Sequence, residues 1–334
     1  MAIRITKSSS IENQLKFAKA FVELKKQMAE EKILDRSYGW YVLHIVLNFL
    51  GLVVGAFCLY SGLWFLASII VAFFVVQWGG IMHDGGHLAI AKSKKWNLFC
   101  GKLGGGFASL GFSEWYSSHN NHHTHVNEEE EDTDLMIPVL SYTMDRAKTK
   151  TGLEKKLLPY QHFLYLFLFS FGSVAIRVKH AKYLFNQKLW LEFLISITSN
   201  FFWVVLPVLI LGLPGLAFVF FNQFFTGQYM MHIFAPNHKG MPELATGVKL
   251  SFLEQQVVTA RNLPPHWLID YVYMGLNYQI EHHLFPHCPR ENQPRLAKLV
   301  KPFCERMGLE YSVIGPWEVD ITLFKELRAV ARQF

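Results

Sequence analysis

The chain has 334 residues, of which 51% are hydrophobic, 15% aromatic and 17% charged, whereas roughly a quarter of an ordinary soluble domain is charged. That balance excludes a simple water-soluble domain and predicts an integral membrane protein. The formal charge of +6 does not require a nucleic-acid partner, because Lys and Arg collect in the segments that flank the apolar runs. Cys58, Cys100, Cys288 and Cys304 form no CxxC spacing and are expected to be reduced, structural residues.

In chain order, residues 1–39 read as a polar, partly amphipathic cytoplasmic helix (Leu15, Ala18, Phe21, Val22, Lys25) that approaches the membrane from the positive side. Its first 36 residues are charged throughout, so it is not a cleavable signal peptide. From Trp40 to His83 there is no Asp, Glu, Lys or Arg, which predicts two spans, about 41–60 and 63–82, joined by a turn near Ser61. His83 and His87 follow at i, i+4, and then the basic residues Lys92, Lys94 and Lys95. Residues 96–118 are rich in glycine (Gly101, Gly104, Gly105, Gly106, Gly111) and aromatics, as in an interfacial segment packed closely against a neighbour.

Next comes the stretch His119-Asn-Asn-His122-His123. On a helix its imidazoles stand at i, i+3 and i+4 and share one face, as a metal centre requires. The acid run Glu128 to Asp132 behind it reads as a solvated loop. The apolar stretch 160–176 is predicted to be re-entrant or surface-lying, because an even number of crossings must separate the second cluster from the third. Two spans, 189–211 and 216–235, already supply them, turning near Pro214. His232 ends the last span with Gln228 one turn earlier, and Gln279-Ile-Glu-His282-His283 repeats the clustered spacing. Residues 40–289 are thus expected to form a transmembrane domain that carries the histidine clusters, and 290–334 a cytoplasmic helical region.

Imidazole suits zinc, iron, copper and nickel alike, but number narrows the choice. A structural zinc takes four ligands and a catalytic one three. Here His83, His87, His119, His122, His123, His282 and His283 make seven, and His232 an eighth, which points to two metals. Asp84, Asp134 and Glu281 are candidate acceptors for the outer N–H of ligating rings. His44, His162, His180, His266 and His287 are read as packing or interfacial residues, and His125 and His238 as supporting or surface ones.

The series HxxxH, HxxHH and QxxHH on two membrane hairpins resembles the membrane-bound fatty acid desaturase family over about residues 40–312. The resemblance implies an all-α integral membrane fold with four transmembrane helices in two hairpins, interfacial helices and a cytoplasmic helical cap. It implies two irons held by the eight histidines, O2 as co-substrate, and electrons from a separate cytochrome b5 or ferredoxin-type donor, since no His-Pro-Gly-Gly segment occurs. Gln228 corresponds to a water-linked amide. Gln279, with the following Leu-Phe-Pro-His-Cys-Pro-Arg, resembles front-end desaturases, which act between an existing double bond and the carboxyl end of an acyl chain carried on CoA, a carrier protein or a lipid. The active site and both termini are expected on the cytoplasmic side, with Lys92, Lys94, Lys95 and Arg290 as docking points for the donor. Rival readings are a hydroxylase, acetylenase or carotenoid-modifying enzyme on the same scaffold, or a membrane metal-binding or transport protein.

Overall fold

In the computed structural model, which describes residues 3–135, 137 and 139–334, regular structure among the described residues is helical apart from one two-stranded parallel ladder. The chain forms two compact units. One comprises residues up to Asp35, Ser118–Tyr165 and Ile233–Phe334; the other comprises Arg36–Ser117 and Leu166–His232. Both chain ends therefore belong to one unit.

In the unit built from 36–117 and 166–232, helices Tyr38–Tyr60 and Trp64–Gly86 form the expected hairpin, turned at Gly62, whose φ of +85° suits a residue without Cβ. Tyr41, Leu52, Leu59, Val71, Val75 and Trp78 interdigitate between them. Helix Lys94–Phe107 lies against Trp64–Gly86 at backbone contact: a Cβ on Gly104 would stand 2.5 Å from Met82 N and 2.8 Å from Trp78 O. Small residues permit that approach, as they do between membrane helices generally. The close packing expected of the glycine-rich segment is present.

Four helices among the described residues are long and apolar enough to cross a membrane: Tyr38–Tyr60, Trp64–Gly86, Gly152–Asn186 and Trp190–Leu211. The number matches the expectation, but the set does not. The stretch read as a short interfacial helix over 160–176 belongs to one continuous helix, Gln161–Asn186, and it meets the length and composition of a span. Leu213–His238, read as the last span, is long enough but too polar to join the set. Asn222, Gln223 and Gln228 dilute its hydropathy, and all three are satisfied inside the unit. Asn222 Nδ2 donates to Ser68 O at 3.2 Å, Gln223 Oε1 accepts from Arg177 Nη1 at 2.5 Å, and Gln228 Nε2 donates to Leu166 O at 2.7 Å. In an apolar surrounding such groups must find partners within the protein.

In the other unit, helix Ile11–Glu30 starts at Ser10, whose Oγ accepts from Asn13 N. It buries Phe17, Phe21, Leu24 and Met28, a stripe at helical spacing, against helices Phe252–Val258, Gln279–Leu284 and Gln293–Met307. Leu15 and Val22, expected on the apolar face, are exposed instead. The helix is thus part of the core around the third histidine cluster. Phe21 sits 5.3 Å, ring centre to ring centre, from both Phe252 and Phe285. Phe21→Ala is expected to cost about 3–5 kcal/mol, read as a lowered thermal midpoint of the purified chain; an unchanged midpoint would place this helix outside the cooperative core.

Strand Arg4–Ile5 pairs in parallel with Glu243–Leu244. The second strand is bonded on its other side to the loop behind the second cluster, with Leu244 N donating to Asn127 O at 2.8 Å and Glu129 N to Leu244 O at 3.0 Å. Arg290, expected at a docking surface, is buried, whereas Lys92, Lys94 and Lys95 are exposed.

Candidate metal centre

Helix Phe112–Thr124 carries His119, His122 and His123. The wholly buried short helix Gln279–Leu284 carries Gln279, His282 and His283. The second helix is held by its neighbours through side chains: Asn262 Oδ1 accepts from Ile280 N at 2.9 Å, its Nδ2 donates to Glu281 Oε2 at 2.7 Å, and Tyr311 OH donates to Glu281 Oε1 at 2.6 Å. Glu281 therefore serves the helix, and its expected role as acceptor for an imidazole is not what the structure has.

Held this way, the two clusters face each other. His123 Nε2 lies 3.1 Å from His119 Nε2 and 3.1 Å from His282 Nε2. Beside them His122, His238 and His283, all buried, bring one ring nitrogen each to within 4.8 Å of one another. His238, read from sequence as a supporting or surface residue, is a full member of this trio. Its place at the end of helix Leu213–His238, with Pro236 inside, carries no periodic signal that would have marked it.

The outer nitrogen of every ring in the trio is engaged. His122 Nδ1–H donates to Asp132 at 3.0 Å, His238 Nδ1–H to Thr259 O at 2.9 Å, and His283 Nδ1–H to Gln256 Oε1 at 2.7 Å. Such partners fix the tautomer and leave the Nε2 lone pair for a ligand. Gln279 Nε2 donates to His238 Nε2 at 2.9 Å, so in this structure an amide N–H takes the lone pair of that ring. His283 is 1% exposed, and among the described residues its Nε2 has no hydrogen-bond partner. A buried nitrogen of this kind is costly unless something fills the site. Three imidazoles with anchored backs are a donor set that fits a first-row transition metal.

Electrostatics agree with that division of labour. Burial pushes the His283 imidazole down, and the neighbouring imidazoles His123, His238, His122 and His282 push it further, well below its ordinary value. It is neutral and ready to ligate at pH 7. For His122 burial pushes down too, but the charges of Asp132 and Asp134 and the bond to Asp132 outweigh it and raise the pKa. Burial pushes the Asp132 carboxyl up, yet His122 and Lys239 bring it down to about 2. Asp132 is 0% exposed, so the last residue of the acid run is a buried partner of the cluster and not part of a solvated loop. Asp134, expected in that role, is farther from His122 Nδ1, at 3.7 Å. His125 bonds Glu128 at 3.1 Å.

In the other unit, His83 lies in the last turn of Trp64–Gly86 and His87 caps it, their ring centres 4.6 Å apart. His83 Nδ1–H donates to Asp84 Oδ1 at 3.2 Å, and Tyr41 OH donates to Asp84 Oδ2 at 3.0 Å, so Asp84 acts as expected. His232 Nδ1–H donates to Gln228 O at 2.7 Å. It is the backbone of Gln228 that meets His232; the side-chain amide, expected to face the site through water, donates to Leu166 O and Ser170 Oγ.

The sequence profile of the fatty acid desaturase family matches residues 61–315. Among curated proteins the chain is 26% identical to the Delta(6)-fatty-acid desaturase fat-3 of Caenorhabditis elegans, the match covering 91% of this chain and 73% of that protein. It is 27% identical to Delta(8)-fatty-acid desaturase 1 of Arabidopsis thaliana (80% and 64%), and 30% identical to Fatty acid desaturase 3 of Bos taurus (74% and 57%). The chain spans about two thirds of the length of such relatives. With the family's profile covering most of its residues, the chain belongs to the fatty acid desaturase family.

Proposed function

We propose that this protein is an oxygen-dependent acyl desaturase of the front-end type, inserting a cis double bond between an existing one and the carboxyl end of an acyl chain. The observation that carries the metal-dependent reading is the buried trio of His122, His238 and His283, each with its outer nitrogen anchored. Gln279 in the third cluster and the names of the Delta(5), Delta(6) and Delta(8) relatives support the front-end assignment.

The proposed ligands of two irons are His83, His87, His119, His122, His123, His232, His282 and His283, to which the geometry adds His238. When bound, the irons would supply the oxidising power: O2, two electrons from a separate donor and two protons go to two waters as two hydrogens leave the acyl chain. The protein's own contribution is positional. Asp132, Thr259 O, Gln256 and Asp84 hold four of the rings in one tautomer, and Asn262 and Tyr311 hold the helix beneath His282 and His283. The proposed donor is a cytochrome b5 or ferredoxin-type protein, and the substrate an acyl group on CoA, a carrier protein or a membrane lipid. Absence of Lys and Arg from the turns near Ser61 and Pro214 supports placing the clusters and both termini on the cytoplasmic side.

The test is the fatty acid profile of a host expressing the chain and fed defined polyunsaturated precursors. A product lighter by two hydrogens, with the new bond on the carboxyl side of an existing one, is expected. A product that gains one oxygen without losing two hydrogens would assign a hydroxylase, and a new bond only on the methyl side would end the front-end reading.

A further inference from the structure

Helix Phe252–Val258 and the residues just after it run behind the trio. Thr259 O, released where the helix ends, takes the proton of His238 Nδ1, and Asn262 clamps Ile280 and Glu281. Within this strip Gln256 stands apart because its side chain touches both clusters. Its Oε1 accepts from His283 Nδ1–H at 2.7 Å and its Nε2 donates to His123 O at 3.3 Å. Gln256 is 1% exposed. A buried amide must be paired at both ends to be tolerated, and an aliphatic side chain of similar size would fill the same space without that requirement. What only the amide supplies is an acceptor on the outer nitrogen of His283. That acceptor places the ring proton on Nδ1 and the lone pair on Nε2, the atom that has no hydrogen-bond partner among the described residues.

We propose that Gln256 is a positioning residue of the metal centre: it fixes His283 in the tautomer that presents Nε2 and ties that ring to the backbone of His123. The assignment rests on the metal-dependent reading above. It goes beyond it in naming, outside the histidine clusters, a side chain on which ligation depends. Partners of this kind typically change metal affinity by about 10- to 100-fold when removed.

The experiment titrates cobalt(II) into the full metal-free chain in detergent and follows the visible ligand-field bands, for wild type, Gln256→Leu and Gln256→Glu. Both variants lose the weaker donor contact to His123 O; the leucine variant keeps the volume and also loses the acceptor, whereas the glutamate variant keeps the acceptor for His283 Nδ1–H. Cobalt binding about 10- to 100-fold weaker in Gln256→Leu with altered bands, restored in Gln256→Glu, and a metal-free melting point near that of wild type in both variants, is the expected result. Equal affinity and spectrum in Gln256→Leu and wild type would overturn the proposal, as would equal losses in both variants, which would mark a packing role. Wild-type protein that binds no cobalt would instead remove the metal-dependent reading beneath it.

Discussion

His283→Ala is expected to abolish desaturation and to lower the iron content of the purified chain while leaving its insertion into membranes intact. The ring is fully enclosed, its Nδ1–H is committed to Gln256 Oε1, and its Nε2 faces the nitrogens of His122 and His238. The other polar side chains of helix Gln279–Leu284 are engaged elsewhere: Gln279 bonds His238, Glu281 is held by Asn262 and Tyr311, and His282 Nε2 lies against His123 Nε2. Deleting the imidazole also strands the Gln256 acceptor, at a cost of about 1–3 kcal/mol. That cost lowers stability without preventing folding of a protein whose other helices are untouched. His122→Ala is expected to behave alike and to leave Asp132 as a buried carboxylate without its main partner. The measurements are iron per chain by elemental analysis and product by mass spectrometry. His125→Ala is the control, because His125 bonds Glu128 on the edge of the cluster. Full iron and full turnover in His283→Ala would remove the trio from the reaction.

Gly104→Val is expected to be strongly damaging although it touches no histidine. The nearest atoms to a Cβ at that position are Met82 N and Trp78 O, main-chain atoms that cannot rotate aside. The helix they belong to ends in His83 and His87. Overpacking a well-formed contact costs about 1–3 kcal/mol, and here the strain falls on backbone, so low recovery of folded protein and loss of bound metal are anticipated. Gly79 lies on the same helix with nothing within 4 Å of its would-be Cβ. Gly79→Ala should therefore be neutral, or stabilising by about 0.5–1 kcal/mol, because alanine loses less chain entropy than glycine in a helix. Thermal unfolding of the detergent-solubilised chain separates the two, and a Gly104→Val protein as stable as Gly79→Ala would show that these helices can move apart.

Periodicity and spacing were enough to find what repeats locally. Histidines at i, i+3 and i+4 share a face wherever a helix forms, and a run without charges reads as a hairpin whatever it packs against. The glycines of 101–111 signalled a close approach, and Gly104 against Met82 is one. What escaped was supplied by tertiary contact. His238, Gln256 and Thr259 lie on stretches with no pattern of their own and become members of the site only because distant segments present His122 and His283 to them. Asp132 looked like one of several acids, and only the fold buries it under His122. An even count of crossings points to an interfacial helix over 160–176, but the helix runs on to Asn186, with Arg177 paired to Gln223 and Lys179 and His180 to Glu114. Paired charges do not stop a helix, and hydropathy alone does not see the pairing.

The small ladder near the chain's start has a mechanical consequence. Residues 243–245 are stitched on one side to residues 3–5 and on the other to 127–129. Residues 243–245 and 127–129 follow closely on the helices that deliver His238 and His122. The backbone bonds between 243–245 and 127–129 therefore tie the segment behind His238 to the segment behind His122, so the spacing of those two imidazoles is set by main chain as well as by side chains.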